Sequence, residues 1–557
     1  MMKFLYLLLA VISFLFIGCD ESQKIDLIVH NAKIYTVNES FDVVEAMAID
    51  KGKIIAIGAE NEIKNKYLAK QYIDAKKQTV YPGFIDAHCH FFHYAALLQE
   101  LDLKGTTSFD EMLEEIIEYS KTNLSIPERA GKFDWIVGTG WDQNDWEVKE
   151  FPTKERLDEL FPNTPIFITR IDGHAAIANQ KALDLAQINI NTTINGGIIE
   201  KKNGKLTGIL MDNALQLIKT IIPAKTKEQL TNELLAAEQK LFEVGLTTID
   251  EAGLDQQQIE LIEELQKNNQ LKMKVYAMIS ATEELLEHYL KKGSYKTDRL
   301  NVSSFKFYAD GALGSRGACL LKPYTDVSTH KEYGLILHEK SFYEKYASLL
   351  YQKGFQMNTH CIGDSANQLM ISIYATVLKG SNDKRWRIEH AQVLDSASFE
   401  LFSMYNIIPS VQPTHATSDM YWAKDRLGNE RIKNAYAYKK LLQQNGLIAL
   451  GTDFPIESIN PLYTFYAAVA RKDLSDFPEN GFQKENGLTK EEALKGITIW
   501  AAVANFEENE KGSLEVGKSA DFVILNQDLM EIEEPQITKT KVMFTFINGE
   551  KVYSFGN

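Results

Sequence analysis

Between residues 80 and 454 the apolar positions fall into strand-length runs, many of them separated by longer stretches with helical spacing. Eight strand-like runs can be placed, at 80–90, 246–251, 271–280, 302–310, 355–362, 385–392, 407–415 and 447–454. Helical spacing occupies stretches such as 228–244, 341–353 and 490–504. Alternation of this kind predicts parallel βα units. Eight of them closing on themselves predict an α/β protein built on a (β/α)8 barrel over residues 80–504, although the pattern alone also admits an open sheet. The interval 91–244 is too long for one crossover and holds at least two more strand-like runs, 134–138 and 165–170. It predicts an insertion after the first barrel strand, placed as a lid or wall over the active face.

The two chain ends have another texture. Short β-rich runs with turns between them occur at 26–35, 46–49 and 53–58, and again at 520–525 and 541–550. Each set suggests a small antiparallel unit, and neither end alone holds enough strands. The expectation is a composite β-sandwich made of residues 20–79 and 505–557. No tandem repeat or low-complexity segment interrupts this plan.

Composition narrows the function. With 557 residues and 45% hydrophobic content, the chain can bury a full core. Its net charge of -16 is spread along the sequence, without a Lys/Arg-rich stretch carrying interleaved aromatics, which argues against a nucleic-acid partner.

The first nineteen residues read separately. Lys3 precedes an unbroken apolar run over 4–17, followed by Gly18-Cys19-Asp20. Fourteen residues span about 21 Å as a helix, short of the roughly 30 Å hydrocarbon core, so the run reads as an export signal and not a permanent membrane span. A small residue before Cys19 resembles a bacterial lipobox, with Phe16 where a leucine is more usual. The resemblance implies lipidation of Cys19, a periplasmic or cell-surface location, membrane attachment through that lipid, and a short tether at 22–24. An ordinary cleaved signal is the alternative. Of the remaining cysteines, Cys89 and Cys361 adjoin histidines on predicted strands, so their side chains point the other way, into core; Cys319 lies in a Gly-rich loop.

The candidate chemistry begins at Pro82-Gly83-Phe84-Ile85-Asp86-Ala87-His88-Cys89-His90. Histidines at i and i+2 of a strand share a face, so two imidazoles can approach one cation. Thr359-His360, Glu389-His390 and Thr452-Asp453 place further metal-capable groups near the C-terminal edges of other strands, where barrel enzymes do their chemistry. Imidazole and carboxylate donors suit Zn²⁺, Mn²⁺, Fe²⁺ or Ni²⁺, with zinc the first choice.

The order His88-x-His90, Lys306, His360, His390, Asp453 resembles the amidohydrolase superfamily across residues 25–555. Lys306 lies in Phe305-Lys306-Phe307-Tyr308-Ala309-Asp310-Gly311-Ala312-Leu313-Gly314-Ser315-Arg316. That segment, continued by Gly317, and Arg170-Ile171-Asp172-Gly173-His174 look like the subgroup related to N-substituted formamide deformylases. The resemblance implies that His88, His90 and Asp453 hold a more buried metal, that His360 and His390 hold a second, and that Lys306, N-carboxylated, bridges them. One metal beside an unmodified Lys306 is the simpler alternative. Asp453 would be the catalytic proton shuttle for a metal-activated hydroxide.

His174, Arg316, Asp310, Trp141, Gln412 and His415 are candidates for substrate contact, and Trp141, Trp146 and Trp422 for an apolar wall. His30, His93, His288, His330 and His338 have no placement that argues for ligation. The leading expectation is hydrolysis of a C–N bond in a small amide, an N-acyl or N-formyl amine. The same metal set would serve a lactone, a phosphoester or a ring amine, because the loops and not the ligands decide the substrate. A surface binding lipoprotein on an inactive barrel should lack one of the ligands, and none is missing. A glycosidase with acids drawn from Glu251, Asp310 and Glu389 leaves the metal-capable groups unexplained.

Overall fold

Eight parallel strands follow one another around the centre of the molecule: β1 (Phe84–Cys89), β2 (Leu246–Leu254), β3 (Lys274–Ser280), β4 (Leu300–Tyr308), β5 (Gln356–Cys361), β6 (Arg387–His390), β7 (Ile408–Val411) and β8 (Ala449–Leu450). This is a computed structural model, and it describes residues 22–123 and 135–556. The export segment, Cys19 and Asp134 lie outside the described residues. Each barrel strand pairs in parallel with the next. β1, β5, β6 and β7 are buried along their whole length, as strands covered on both faces must be.

The barrel is nearly closed. No ladder joins β8 to β1, but beyond β8 the amide of Asp453 donates to His88 O at 2.8 Å, and His90 N donates to Phe454 O at 2.8 Å. This close approach needs a glycine: a Cβ on Gly451 would stand 2.6 Å from His88 N. The expected strand 447–454 therefore shrinks to Ala449–Leu450, because its second half leaves the ladder to carry Asp453 across the seam.

A second departure lies at the start of the barrel. The run 80–90 is not one strand: Thr79–Pro82 belongs to an outer sheet, and β1 begins only at Phe84. Pro82-Gly83 makes the break. A Cβ on Gly83 would collide with Thr247 Oγ1 at 2.3 Å, so the crossing from one sheet to the next depends on that glycine.

The outer unit packs two sheets over a shared core of Leu27, Val29, Ile34, Met47, Ile54, Phe522 and Phe546. One sheet joins Lys53–Gly58, Ala46–Asp50, Gln23–His30 and Tyr67–Asp74 in that order, all from the N-terminal side. The other runs Glu550–Ser554, Val542–Ile547, Phe522–Leu525, Thr79–Pro82, Lys33–Tyr35 and Val43–Val44, and so combines both ends. Two expectations change here. Pairing is mixed, since Gln23–His30 runs parallel to Tyr67–Asp74, and residues 23 and 24 are already ladder partners of Tyr67 and Leu68, which removes them from any tether. Lys274 Nζ, at the start of β3, bonds Asp521 Oδ2 at 2.6 Å and Asn548 Oδ1 at 2.8 Å, locking this unit to the barrel.

The segment after β1 forms a six-stranded sheet in the order Gly197–Lys202, Lys205–Asp212, Ala175–Ala178, Ile166–Arg170, Ile136–Trp141, Leu101–Asp102. It has its own apolar core around Trp141, Trp146, Ile136, Ile168 and Ile177.

Candidate metal centre

The strand ends bring six of the named groups together. His88 and His90 leave the end of β1, Lys306 lies near the end of β4, His360 and His390 end β5 and β6, and Asp453 arrives from beyond β8. Ring centroids lie 5.6 Å apart for His88 and His90, 4.9 Å for His88 and His390, and 4.6 Å for His360 and His390. Asp453 Oδ1 is 3.2 Å from His90 Nε2 and 3.7 Å from His88 Nε2. Lys306 Nζ lies 3.0 Å from His88 Nε2.

Donor atoms of His88, His90 and Asp453 all fall within 4.8 Å of one another, and so do those of His390, His415 and Asp453. Either trio could hold a divalent ion, with Asp453 common to both. The second trio differs from the expected one: His360 stands beside His390, but His415 is the histidine whose donor joins it. His415 donates through Nε2 to Asp453 Oδ2 at 3.0 Å and through Nδ1 to Glu457 at 3.2 Å. Two atoms of the cluster are buried without any hydrogen-bond partner, His390 Nδ1 and Asp453 Oδ1. Buried polar atoms in folded proteins are nearly always satisfied, so an orphaned imidazole nitrogen and an orphaned carboxylate oxygen in one cluster fit the donor set of a metal.

The backbone is strained where these groups emerge. His390, Ala391 and Asp453 adopt φ of 70°, 43° and 62°, a region that costs non-glycine residues energy and is kept where the surroundings enforce it. Those surroundings are visible. His88 donates through Nδ1 to Glu389 Oε2 at 2.6 Å, which fixes the ring and leaves Nε2 toward the cluster. Asp86 accepts from Thr452 N at 3.0 Å, Thr452 Oγ1 at 2.6 Å and His88 N at 3.2 Å, tying β1 to the segment that carries Asp453.

Electrostatics follow from burial. Desolvation pushes the Lys306 ammonium down to about 8 even though Glu389, Asp453 and Glu251 favour its charge. Burial, with Lys306 adding to it, brings His88 down to about 4, so the ring is neutral at pH 7 and able to offer a lone pair. Burial opposes ionisation of Asp453, but the hydrogen bond from His415, the closeness of His90 and the neighbouring imidazoles hold its carboxyl well below the usual range.

The cluster opens into a cavity of about 1330 Å³ lined by the strand ends and by the inserted sheet. His174, His415 and Trp422 line it. Four other candidates do not. Asp310 spends both oxygens on the amides of Cys319, Ile362 and Gly363. Arg316 points to Asp326 at 2.8 Å. Trp141 is packed in the inserted sheet's core and donates to Ile168 O, and Gln412 is buried beneath the surface, its amide 3.5 Å from Ser410 O. Trp146 is likewise core, donating to Thr106 O. Conversely, His93 lines the cavity; its position three residues after His90, in the helix Phe91–Leu97, was the available signal.

The two sequence motifs of the subgroup turn out to be halves of one joint. Cβ atoms on Gly311 and Gly317 would stand 2.6 Å and 3.0 Å from the carboxylate of Asp212, and one on Gly314 would stand 3.1 Å from the Arg170 guanidinium. The glycines thus leave room for the inserted sheet to seat against the loop after β4. Arg170 is neutralised by Asp142 and by Asp172 at 2.6 Å, and Asp212 accepts from His174 Nδ1 at 2.8 Å, holding that ring 5.0 Å from the ring of His360.

Comparison with known proteins agrees with this architecture. A model of the amidohydrolase family matches residues 71–553. The chain is 30% identical over 548 residues to Protein LONG AFTER FAR-RED 3 of Arabidopsis thaliana, covering 95% of this chain and 91% of that one. It is 25% identical over 552 residues to the N-substituted formamide deformylase of Arthrobacter pascens, covering 95% and 98%. Among solved structures, an uncharacterized metal-dependent hydrolase from Pyrococcus horikoshii superposes with a TM-score of 0.74 at 26% identity, over 91% of this chain and 99% of that one.

Proposed function

This chain belongs to the amidohydrolase family, and on that premise we propose that it hydrolyses a C–N bond in a small amide, an N-acyl or N-formyl amine, at a centre of one or two divalent ions, zinc foremost. The observation that carries this reading is the convergence of His88, His90, Lys306, His360, His390 and Asp453, with His390 Nδ1 and Asp453 Oδ1 left unpartnered in the buried cluster. Similarity to a formamide deformylase supports the choice of bond.

When bound, such an ion supplies a water of lowered pKa and polarises the carbonyl. Asp453 is the proton carrier: its Oδ2 is engaged by His415, while Oδ1 faces the histidines and is free to take the proton of the attacking water and return it to the leaving nitrogen. His174, oriented by Asp212, presents its Nε2 side to the cavity as a donor for the carbonyl oxygen. Lys306, with part of its population neutral near pH 8, can attack CO₂ through the Nζ lone pair and release a proton, giving a carbamate whose oxygens would add to the donors that hold metal here. The sequence of residues 3–20 supports export and a lipid anchor on Cys19, and the acidic charge spread along the chain speaks against a nucleic-acid partner; palmitate labelling of the full chain and of C19A tests the anchor.

Elemental analysis of purified protein, together with turnover of N-formyl and N-acyl amines, tests the proposal. One to two metals per chain are expected, lost together with turnover in H88A/H90A, while D453N lowers turnover by about 10²–10⁴. A folded protein that binds no metal after loading sinks the hydrolase reading. Metal binding with cleavage confined to lactones or phosphoesters moves the chemistry to another bond.

A further inference from the structure

The cavity is larger than the metal cluster needs, and its far wall is apolar. Phe167, Ile194, Leu215 and Ile222 line it and belong to one packed cluster with Ile218. Directly after Ile218, at the end of the short helix Gln216–Lys219, the side chain of Lys219 joins the lining.

Lys219 differs from every other cation there. Lys104 donates to Ile456 O at 2.8 Å, Arg170 is held by Asp142, Asp172 and Gln143, and Lys306 sits within the metal cluster. No hydrogen bond or ion pair among the described residues engages Lys219. The acids of the cavity are mostly committed elsewhere: Glu100 to Lys225, Asp212 to His174, Asp419 to Tyr436 and Glu457 to His415 and Ser418. Asp145 and Glu283 are unmatched but stand on other elements, the loop after Trp141 and the start of the helix Glu283–Lys292. Lys219 is solvent-exposed; protein crowded around its ammonium lowers its pKa, and no carboxylate counters that shift. An ammonium with no internal partner, standing where the cavity wall turns apolar, is available to a ligand of opposite charge. His90 and His93 line the same cavity as Lys219, so the apolar wall and the metal cluster share one continuous lining.

We propose that Lys219 anchors an anionic group of the substrate, so that the amides cleaved here carry a carboxylate at the end of an apolar arm that lies along Phe167, Ile194, Leu215 and Ile222. This rests on the hydrolase reading above and narrows its substrate class.

A matched pair of amides tests it in the metal-loaded enzyme: N-formyl-6-aminohexanoate against N-formylhexylamine. Wild type is expected to favour the carboxylate by about tenfold or more in kcat/KM, the scale of a hydrogen bond to a charged group. In K219M the ratio falls toward one through a raised KM for the carboxylate substrate, and K219R retains most of the preference. A preference unchanged in K219M, or a wild-type preference for the neutral amide, overturns the assignment. Calorimetric binding of hexanoate and of 1-hexanol is the readout independent of turnover. Hexanoate binding about tenfold weaker in K219M supports the anchor even if neither amide is cleaved, a result that would count against the hydrolase reading alone. Equal hexanoate affinity in the two proteins removes Lys219 from the site.

Discussion

The charged groups inside the barrel form two layers with opposite designs. Toward the N-terminal ends of the strands, charge meets charge: Arg387 donates to Asp250 at 2.9 Å, Asn505 donates to the other oxygen of Asp250 at 2.6 Å, and Lys274 meets Asp521. Toward the C-terminal ends, imidazoles face imidazoles, a lysine faces His88, and an imidazole nitrogen and a carboxylate oxygen have no partner. The same sheet holds both layers, only a few residues apart, with Arg387 three residues before His390 on β6. The first layer matches its charges within the chain, whereas the second leaves metal-capable donors facing one another. A barrel can keep its stability and its chemistry at opposite ends in this way.

The sharpest test of that contrast is to damage each layer separately. R387M leaves Asp250 buried without its counter-charge and should cost about 3–5 kcal/mol in denaturant unfolding. In metal-free protein, H390A should cost far less than R387M, because His390 Nδ1 has no partner to lose. Equal losses in the two variants would erase the distinction between the layers.

Glu389 links them. It lies between Arg387 and His390 on β6 and accepts from His88 Nδ1, so it belongs to the interior by position and to the centre by contact. E389Q should leave the fold standing and weaken metal affinity by about 10–100-fold, measured by competition with a chelator. No change in affinity would show that the His88 ring is held by packing alone.

The sequence exposed the second layer better than the first. Histidines at i and i+2 of one strand, with metal-capable groups near the ends of others, pointed to the cluster, and the resemblance to the amidohydrolase superfamily added Lys306 and the grouping of ligands. His415 sits in the helix Pro413–Asp419 and Asp453 in the loop beyond β8, and their meeting depends on the seam that Gly451 permits, a tertiary fact with no periodic signature. Arg316, Asp310, Trp141 and Gln412 show the reverse error. Each occupies a polar or glycine-rich neighbourhood near the active face, yet each is consumed in building it: Asp310 by three amides, Trp141 by a core, Arg316 by Asp326. The single run 80–90 misled because an apolar stretch does not announce where one sheet hands over to another; only Pro82-Gly83 marked the point.

One group at the N-terminal end departs from the rule of matched charges. Glu238, in the helix Lys227–Glu243, is buried and accepts from the amides of Lys272 and Met273 at 2.6 and 2.7 Å, just before β3. Burial pushes its carboxyl up to about 7, and those two amides only partly offset the shift. The folded protein therefore keeps a proton on Glu238 between roughly pH 4.5 and 7 that the unfolded chain has released. Its contribution to stability is full below about 4.5 and is lost as pH rises through 7. Other buried acids, Asp86, Asp250 and Glu251, are raised as well, so the comparison must be a difference. Stability of wild type minus that of E238Q should fall by about 1–3 kcal/mol from pH 5 to pH 8 in chemical denaturation. Parallel curves would mean that Glu238 is ionised throughout, and that the two amides suffice to complete this end of the barrel.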